Sequence, residues 1–108
     1  MQRDSKVYLD DIREAIKKIE TYTRGMSFES FAQKDVVVDA VIRNLAVIGE
    51  AAKNLPQELK KDYGEIEWKK IVGLRDILVH AYFGINKKII WDIIEKKVPE
   101  LKKFLEKL

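Results

Sequence analysis

Apolar residues recur every three or four positions along most of this chain, which is the spacing that places side chains on one face of an α-helix. The first such series begins close to Asp4 and Ser5, either of which can cap the start of a helix. Gly25 marks its end, because glycine readily adopts the left-handed conformation that terminates helices. The apolar positions of this first predicted helix are Leu9, Ile12, Ile16 and Ile19.

A second series predicts a longer helix in the middle of the chain. We expect it to begin near Lys34 or Asp35 and to stop before Pro56, because the residue preceding a proline disfavours helical backbone angles. The stretch from Ser27 to Gln33 predicts a connector containing a short turn of helix. The apolar positions of the second helix are Val41, Leu45, Ile48, Ala52 and Leu55.

The second half of the chain continues the helical pattern. Pro56 suits the first position of a short helix that Gly64 would end. A further helix is predicted from about Glu65 onward, with Ile66, Ile71, Leu74 and Leu78 facing the core. Asn86 can cap the last helix, and Pro99 would end or kink it. Since no alternating strand pattern occurs, the sequence predicts an all-α bundle of four or five helices, with residues 1–108 forming one domain.

Composition narrows the class of protein. A chain of 108 residues with 46% hydrophobic and 36% charged residues is typical of one globular domain with its own core. No apolar run approaches the ~20 residues that a membrane helix requires. The charged start of the chain does not resemble a signal peptide, and the absence of cysteine excludes disulfides and thiolate metal sites. We therefore expect a cytoplasmic protein.

Positive charge is concentrated in the C-terminal half. Residues 1–50 carry eight Lys/Arg and nine Asp/Glu, whereas residues 51–108 carry thirteen and nine, a net charge of +4. That excess would assist an encounter with RNA, although most of these lysines occupy positions typical of solvated helix faces.

The segment from Arg75 to Tyr82 is the main candidate for chemistry, because it holds His80, the only histidine. Imidazole titrates near neutral pH and can act as a general base, and a guanidinium is well suited to bind phosphate. On a helix, Asp76 and His80 are four residues apart and share a face, so the carboxylate could orient the imidazole. Arg75 and His80 are five apart and would converge only with help, for example from a second subunit.

These residues suit RNA transesterification, in which His80 would take the proton of the 2′-hydroxyl and Arg75 would stabilise the phosphorane. This chemistry needs no metal, and a lone histidine with scattered carboxylates does not form a metal-ligand pattern. The same residues also have structural interpretations. His80 can be a helix-end packing residue, Arg75 can pair with Asp76 or Glu67, and Tyr82 can be a wedge between helices.

Large aromatic residues bear on the oligomeric state. Six of them are numerous for so small a core, and an exposed apolar face would indicate a homodimer formed through a helix–helix interface. Complete burial in the monomer is an equally good interpretation. The six are Tyr8, Phe28, Phe31, Trp68, Phe83 and Trp91.

The arrangement Arg-x4-His-x-Tyr at Arg75, His80 and Tyr82 resembles the signature of HEPN-domain ribonucleases. The closest resemblance is to the HepT-like branch, the toxin half of HepT–MntA toxin–antitoxin pairs, and it extends from about Ser5 to Leu108. Three further blocks resemble that family: Arg43–Lys53, Trp68–Asp76 and Val98–Leu101.

The resemblance implies a HEPN-type helical homodimer whose two motifs face a shared cleft, and a metal-independent endoribonuclease without a cofactor. It implies that Arg75 and His80 are catalytic and that Asp76 supports them. It implies that Tyr82 is the residue to which a MntA-type nucleotidyltransferase antitoxin transfers AMP from ATP. RNA, the antitoxin and a second copy of the chain are then the expected partners, with no membrane or DNA.

Two other functions remain open at this point. The chain could be a non-catalytic helical partner of a nucleotidyltransferase, with the Arg75–Tyr82 segment as its interface. It could also be a structural helical dimer without an active site, which the density of the motif makes the weakest of the three hypotheses.

Overall fold

The computed structural model describes residues 4–76 and 86–108, which contain helices and turns and no β-strand. The helices are α1 (Ser5–Thr23), α2 (Phe28–Ala32), α3 (Asp35–Lys53), α4 (Gln57–Asp62), α5 (Trp68–Val72), α6 (Lys87–Asp92) and α7 (Val98–Glu106). A 3₁₀ turn at Gly73–Arg75 follows α5, and a π-helical turn at Ile93–Lys97 joins α6 to α7. The predicted all-α class is confirmed.

Helix α3 forms the centre of the bundle. It packs along α1 on one side and against α5 and the 3₁₀ turn on the other. Burying one aliphatic side chain stabilises the fold by roughly 1.5–3 kcal/mol. The buried side chains of α3 therefore anchor both α1 and the segment that follows α5. The fully buried α3 residues are Val41, Leu45, Ile48 and Ala52.

The predicted helix ends are largely confirmed. The Asp4 carboxylate accepts a hydrogen bond from the backbone N–H of Lys6 at 3.0 Å and caps α1. Gly25, just beyond α1, has a φ of 75°, which other residues rarely adopt. The Asn86 side chain accepts from the backbone N–H groups of Lys88 and Ile89 at 3.0 and 3.3 Å and caps α6.

The segment before the candidate site departs from the prediction. The α-helix begins at Trp68 rather than near Glu65, and it tightens into the 3₁₀ turn at Gly73. The indole N–H of Trp68 donates to the backbone carbonyls of Lys60 and Tyr63, at 3.0 and 3.2 Å, which holds the preceding residues in a loop. Pro56 is also displaced by one residue, because it caps α4 instead of occupying its first turn.

Pro99 does not end the last helical segment. Proline has no N–H, so it cannot donate to the carbonyl four residues back. The chain widens into a π turn just before it, where the N–H of Val98 donates to the carbonyl of Ile93. The helix then continues as α7, with Pro99 in its first turn.

The large aromatic side chains belong mainly to the core of the single chain. Phe31 and Trp91 are buried, with ring centroids 5.1 Å apart. Tyr8, Phe28 and Trp68 are half-buried against the same core. Phe83 lies outside the described residues. The aromatic residues that the structure describes therefore give no support for a dimer interface.

No helix in the described part of the chain is long and apolar enough to cross a membrane.

Candidate active site

Arg75 is held where α3 and the 3₁₀ turn approach most closely. A β-carbon built at Gly49 of α3 would lie 2.6 Å from the backbone nitrogen of Arg75 and 3.0 Å from the carbonyl oxygen of Val72. The first distance is shorter than real β-carbons show, the second is at the tight limit of such contacts, and both atoms in the way belong to the backbone. Only glycine allows the turn to approach α3 so closely, and this approach fixes the position of Arg75.

The guanidinium of Arg75 is oriented by the next residue of α3. Its Nη1 donates to Oε2 of Glu50 at 3.0 Å, while its Nε lies 3.8 Å from a carboxylate oxygen of Asp76. The sequence offered Asp76 and Glu67 as partners of Arg75. Asp76 is a distant partner, and Glu67 pairs with Lys70 and Lys97 and not with Arg75. Sequence reasoning missed Glu50, because a contact across 25 residues leaves no local pattern.

Arg75 remains accessible to a ligand. Its side chain is 45% exposed, and a cavity lies on each side of it. One cavity, of about 490 Å³, is lined by Arg43, Ala46, Val47, Glu50 and Arg75. The other, of about 280 Å³, is lined by Lys53, Lys69, Val72, Gly73, Arg75 and Asp76. The guanidinium can meet an anion from either cavity.

Asp76 is the other predicted site residue within the described ranges. The side chain of Asp76 is 67% exposed, beside Arg75. His80 and Tyr82 lie outside the described residues, so their predicted placement relative to Arg75 and Asp76 remains a prediction.

The described chain on either side of residues 77–85 is well anchored. Arg75 and Asp76 follow the close contact with α3, and Asn86 caps α6. Lys87 donates through Nζ to the backbone carbonyl of Ala32 at 2.8 Å and lies 3.3 Å from a carboxylate oxygen of Asp35. The described residues on both sides of the segment that carries His80 are therefore held at fixed points of the bundle.

An ion-pair network braces α5, the helix that leads to Arg75. Glu67, just before α5, pairs with Lys97 of the π turn and lies 2.9 Å from Nζ of Lys70. The hydrogen bond from Lys97, followed by that from Lys70, lowers the pKa of the Glu67 carboxyl to about 2. The same contact with Glu67 raises the pKa of Lys97.

Among the described residues, no group of three or more His, Cys, Asp or Glu side chains is placed to hold a metal ion.

A family model described as "Ribonuclease HepT-like" matches residues 12–108. The chain belongs to the HepT-like ribonuclease family. The match includes Gly49, Glu50, Arg75 and Asp76, and it confirms the resemblance noted in the sequence.

Several curated relatives match almost the whole chain. "Probable ribonuclease HepT" of Thermococcus cleftensis is 44% identical over 108 residues, which is 100% of this chain and 98% of the relative. "Putative RNase MJ0127" of Methanocaldococcus jannaschii is 45% identical, covering 99% of this chain and 88% of the relative. "Putative RNase TTE0752" of Caldanaerobacter subterraneus subsp. tengcongensis is 42% identical, covering 94% and 90%. No solved structure gives a significant match.

Proposed function

We propose that this protein is a metal-independent endoribonuclease. The observation that carries the proposal is Arg75, an accessible guanidinium fixed by Glu50 at 3.0 Å in a chain of the HepT-like ribonuclease family. Such a group can bind a phosphodiester and stabilise the additional negative charge of the transition state. Because Glu50 already orients the guanidinium, the side chain does not have to reorient during the reaction. The names of the relatives, which describe ribonucleases, agree with RNA as the substrate class.

In the proposed reaction, His80 accepts the proton of a ribose 2′-hydroxyl. The 2′-oxygen then forms a bond to the adjacent phosphorus while the bond from phosphorus to the 5′-oxygen breaks. The products are a 2′,3′-cyclic phosphate and a 5′-hydroxyl, the latter taking up one proton. Arg75 stabilises the phosphorane, and Asp76 orients the imidazole of His80.

The test is cleavage of a labelled single-stranded RNA by the purified protein with EDTA present. We expect cleavage by the wild type, and a loss on the order of 10² or more for Arg75→Ala and for His80→Ala, by analogy with removal of a charge-stabilising group or a general base. An RNA with 2′-deoxyribose throughout should resist cleavage. Undiminished cleavage by His80→Ala would contradict the mechanism.

We further propose that the protein is the toxin of a toxin–antitoxin pair. A MntA-type nucleotidyltransferase would join the α-phosphorus of ATP to the Tyr82 hydroxyl oxygen, releasing pyrophosphate. AMP on Tyr82 adds a negative charge and a bulky nucleoside close in sequence to His80, which would repel or block an RNA phosphate.

The expected result is a mass increase of one AMP on wild-type protein but not on Tyr82→Phe, together with loss of RNA cleavage. Modification of Tyr82 in a protein that never cleaves RNA would instead favour a non-catalytic partner of the nucleotidyltransferase.

We also propose a homodimer formed through the outer side of α3. Residues spaced at four and three positions, Val36, Ala40, Arg43, Val47 and Glu50, share one helix face. Val36 is 82% exposed, and Val47 is exposed beside the cavity that contains Arg75. A second copy covering this stripe would bury both valines and bring two copies of Arg75 towards one cleft.

A further inference from the structure

A further depression adjoins the smaller of the two cavities beside Arg75, and lysines make up most of its lining. It has a volume of about 500 Å³ and is lined by Lys53, Lys60, Lys61 and Lys69, with Gln57, Trp68 and Val72. We call this depression the lysine groove. None of its described lining residues is acidic, so four cationic side chains converge without a carboxylate between them.

The groove continues into the candidate active site. Lys53, Lys69 and Val72 line both the groove and the smaller cavity that contains Arg75. A ligand lying in the groove can therefore extend to Arg75 without crossing the bundle. The continuous surface suits a long ligand better than a single small anion.

Several other lysines in the described part of the chain form ion pairs with carboxylates, as Lys102 does with Glu20 at 3.0 Å. That pair lines a cavity between α1 and α7, where Glu106 is a second acidic residue beside Arg13 and Lys17. The four groove lysines form no ion pair or side-chain hydrogen bond with any residue that the structure describes. Their ammonium groups are thus available to an external anion.

Lys60 is the most unusual member of the groove. The residue is only 9% exposed, although it lies on the short helix α4. No side-chain nitrogen or oxygen of the described residues is both fully buried and without a partner, so the ammonium of Lys60 reaches the groove. Burial lowers the pKa of Lys60. A bound anion would favour its charged form.

Trp68 contributes an aromatic surface to the same groove. Its indole N–H is used by the carbonyls of Lys60 and Tyr63, and its ring packs edge-to-face with Phe104 at 5.0 Å. These contacts hold the ring in place next to the lysines. Cationic groups beside a fixed aromatic surface are features by which proteins bind single-stranded nucleic acid.

We propose that the lysine groove binds the backbone of single-stranded RNA and guides the strand to Arg75. The proposal rests on the ribonuclease function and identifies the surface that holds the substrate outside the reacting phosphodiester. Convergence of four like charges without a counterion opposes folding, so the arrangement is better explained by binding than by stability.

The test compares two triple variants that remove equal charge. Lys53→Ala, Lys61→Ala and Lys69→Ala are combined in the groove variant, and Lys17→Ala, Lys18→Ala and Lys103→Ala in the control. All six side chains are exposed. Lys60 is left unchanged because its buried stem packs in the bundle. Binding of a fluorescent 2′-O-methyl RNA, which cannot undergo transesterification, is followed by anisotropy over a range of salt concentrations.

We expect the groove variant to bind on the order of tenfold more weakly or worse at low salt. The slope of log Kd against log salt should fall by about 2, because each phosphate contact with a single strand contributes about 0.7. The control variant should keep most of the wild-type slope. The Tm of the groove variant should be unchanged or higher, which a structural role for these lysines would not give.

Equal losses of affinity in the two variants would overturn the proposal, because they would show that only net charge matters. Unchanged RNA binding by the groove variant would overturn it as well, including the case in which the variant instead loses binding to a partner protein. Failure of the ribonuclease function is distinguishable. A wild-type protein that leaves ordinary RNA intact but binds the methylated strand through these lysines would retain the groove and lose the catalytic assignment.

Discussion

At the scale of single residues, the position of Arg75 depends on two neighbours in α3. Gly49 lets the backbone of the 3₁₀ turn come close, and Glu50 holds the guanidinium by a hydrogen bond of 3.0 Å. One residue therefore fixes where Arg75 is, and the adjacent one fixes where its side chain points. A substitution of Glu50 alone separates these two contributions.

We expect Glu50→Gln to lower kcat for RNA cleavage by about tenfold, as loss of positioning near a reacting group typically does. We expect RNA binding not to weaken, because Glu50→Gln removes a negative charge beside the substrate. Single-turnover cleavage and binding of 2′-O-methyl RNA measure the two effects. Glu14→Gln, an exposed position on α1, is the matched control. Weaker binding with an unchanged kcat would refute a positioning role.

At the scale of elements, the site depends on how α5 and the 3₁₀ turn are attached to the rest of the bundle. They pack against α3 on one side. On the other, Trp68 contacts Phe104 of α7 and Glu67 pairs with Lys97 of the π turn. The element that carries Arg75 is thus held between the central helix and the C-terminal helix, and each attachment can be weakened separately.

The attachment to α3 is tested by Gly49→Ala. The added methyl group would overlap the backbone at Arg75 and Val72, and overpacking of this kind costs roughly 1–3 kcal/mol. We expect Tm to fall by several degrees and RNA cleavage to be lost while the helical content is kept, as measured by circular dichroism and the cleavage assay.

Gly73→Ala is the control for that experiment. Gly73 has ordinary helical backbone angles, with a φ of −67°, and an added β-carbon would meet no side chain or packed element of the described residues within 4 Å. We expect unchanged or slightly higher stability, because alanine reduces the freedom of the unfolded chain. If both alanine variants lost stability equally, the close approach at Gly49 would not be the cause.

The attachment to the π turn is tested by the pH dependence of stability. The pKa of Glu67 is about 2 in the folded protein, below its ordinary value of 4.5, so its ion pairs stabilise the fold fully above pH 4.5. That contribution is lost as the pH falls from 4.5 towards 2. We expect Glu67→Gln to lower Tm near neutral pH and the difference from wild type to disappear towards pH 2.

Glu95→Gln is the matched control, since Glu95 is exposed and pairs with no residue in the described ranges. Its difference from wild type should stay small throughout that pH range. A difference for Glu67→Gln that persisted at pH 2 would point to packing rather than to charge.

At the scale of the whole molecule, the exposed stripe on α3 and the cavity beside Arg75 are neighbours. This placement makes the proposed dimer and the proposed activity interdependent, because Val47 lines the cavity that contains Arg75. A charge introduced at Val47 should therefore affect oligomeric state and cleavage together.

We predict that Val47→Glu converts a dimer into a monomer and abolishes RNA cleavage while leaving the helical content unchanged. Light scattering coupled to gel filtration measures the first effect. Ile89→Glu is the control, because Ile89 is also exposed but lies on α6. A dimer disrupted only by Ile89→Glu would place the interface on a different face.

Much of the helical framework was determined by the sequence alone. Apolar spacing and capping residues such as Asp4 and Asn86 act within a few positions, so they predict where most helices begin and end. The departures occurred where distant groups intervene. Trp68 donates to carbonyls up to eight residues away, and α5 therefore starts later than predicted. Before Pro99, which lacks an N–H, the backbone hydrogen bonds change to the π-helical pattern and the helix continues.

The residues proposed for chemistry were also found in the sequence, because Arg75, Asp76, His80 and Tyr82 lie within one short motif. Their support was decided only by the tertiary structure. Gly49 and Glu50 reach Arg75 across about 25 residues, and the lysine groove joins α3, α4 and α5. Apolar spacing and capping residues depend only on neighbours in the chain, so the sequence shows them directly. The close approach of Gly49 to Arg75 and the convergence of the groove lysines arise only when separate helices pack together.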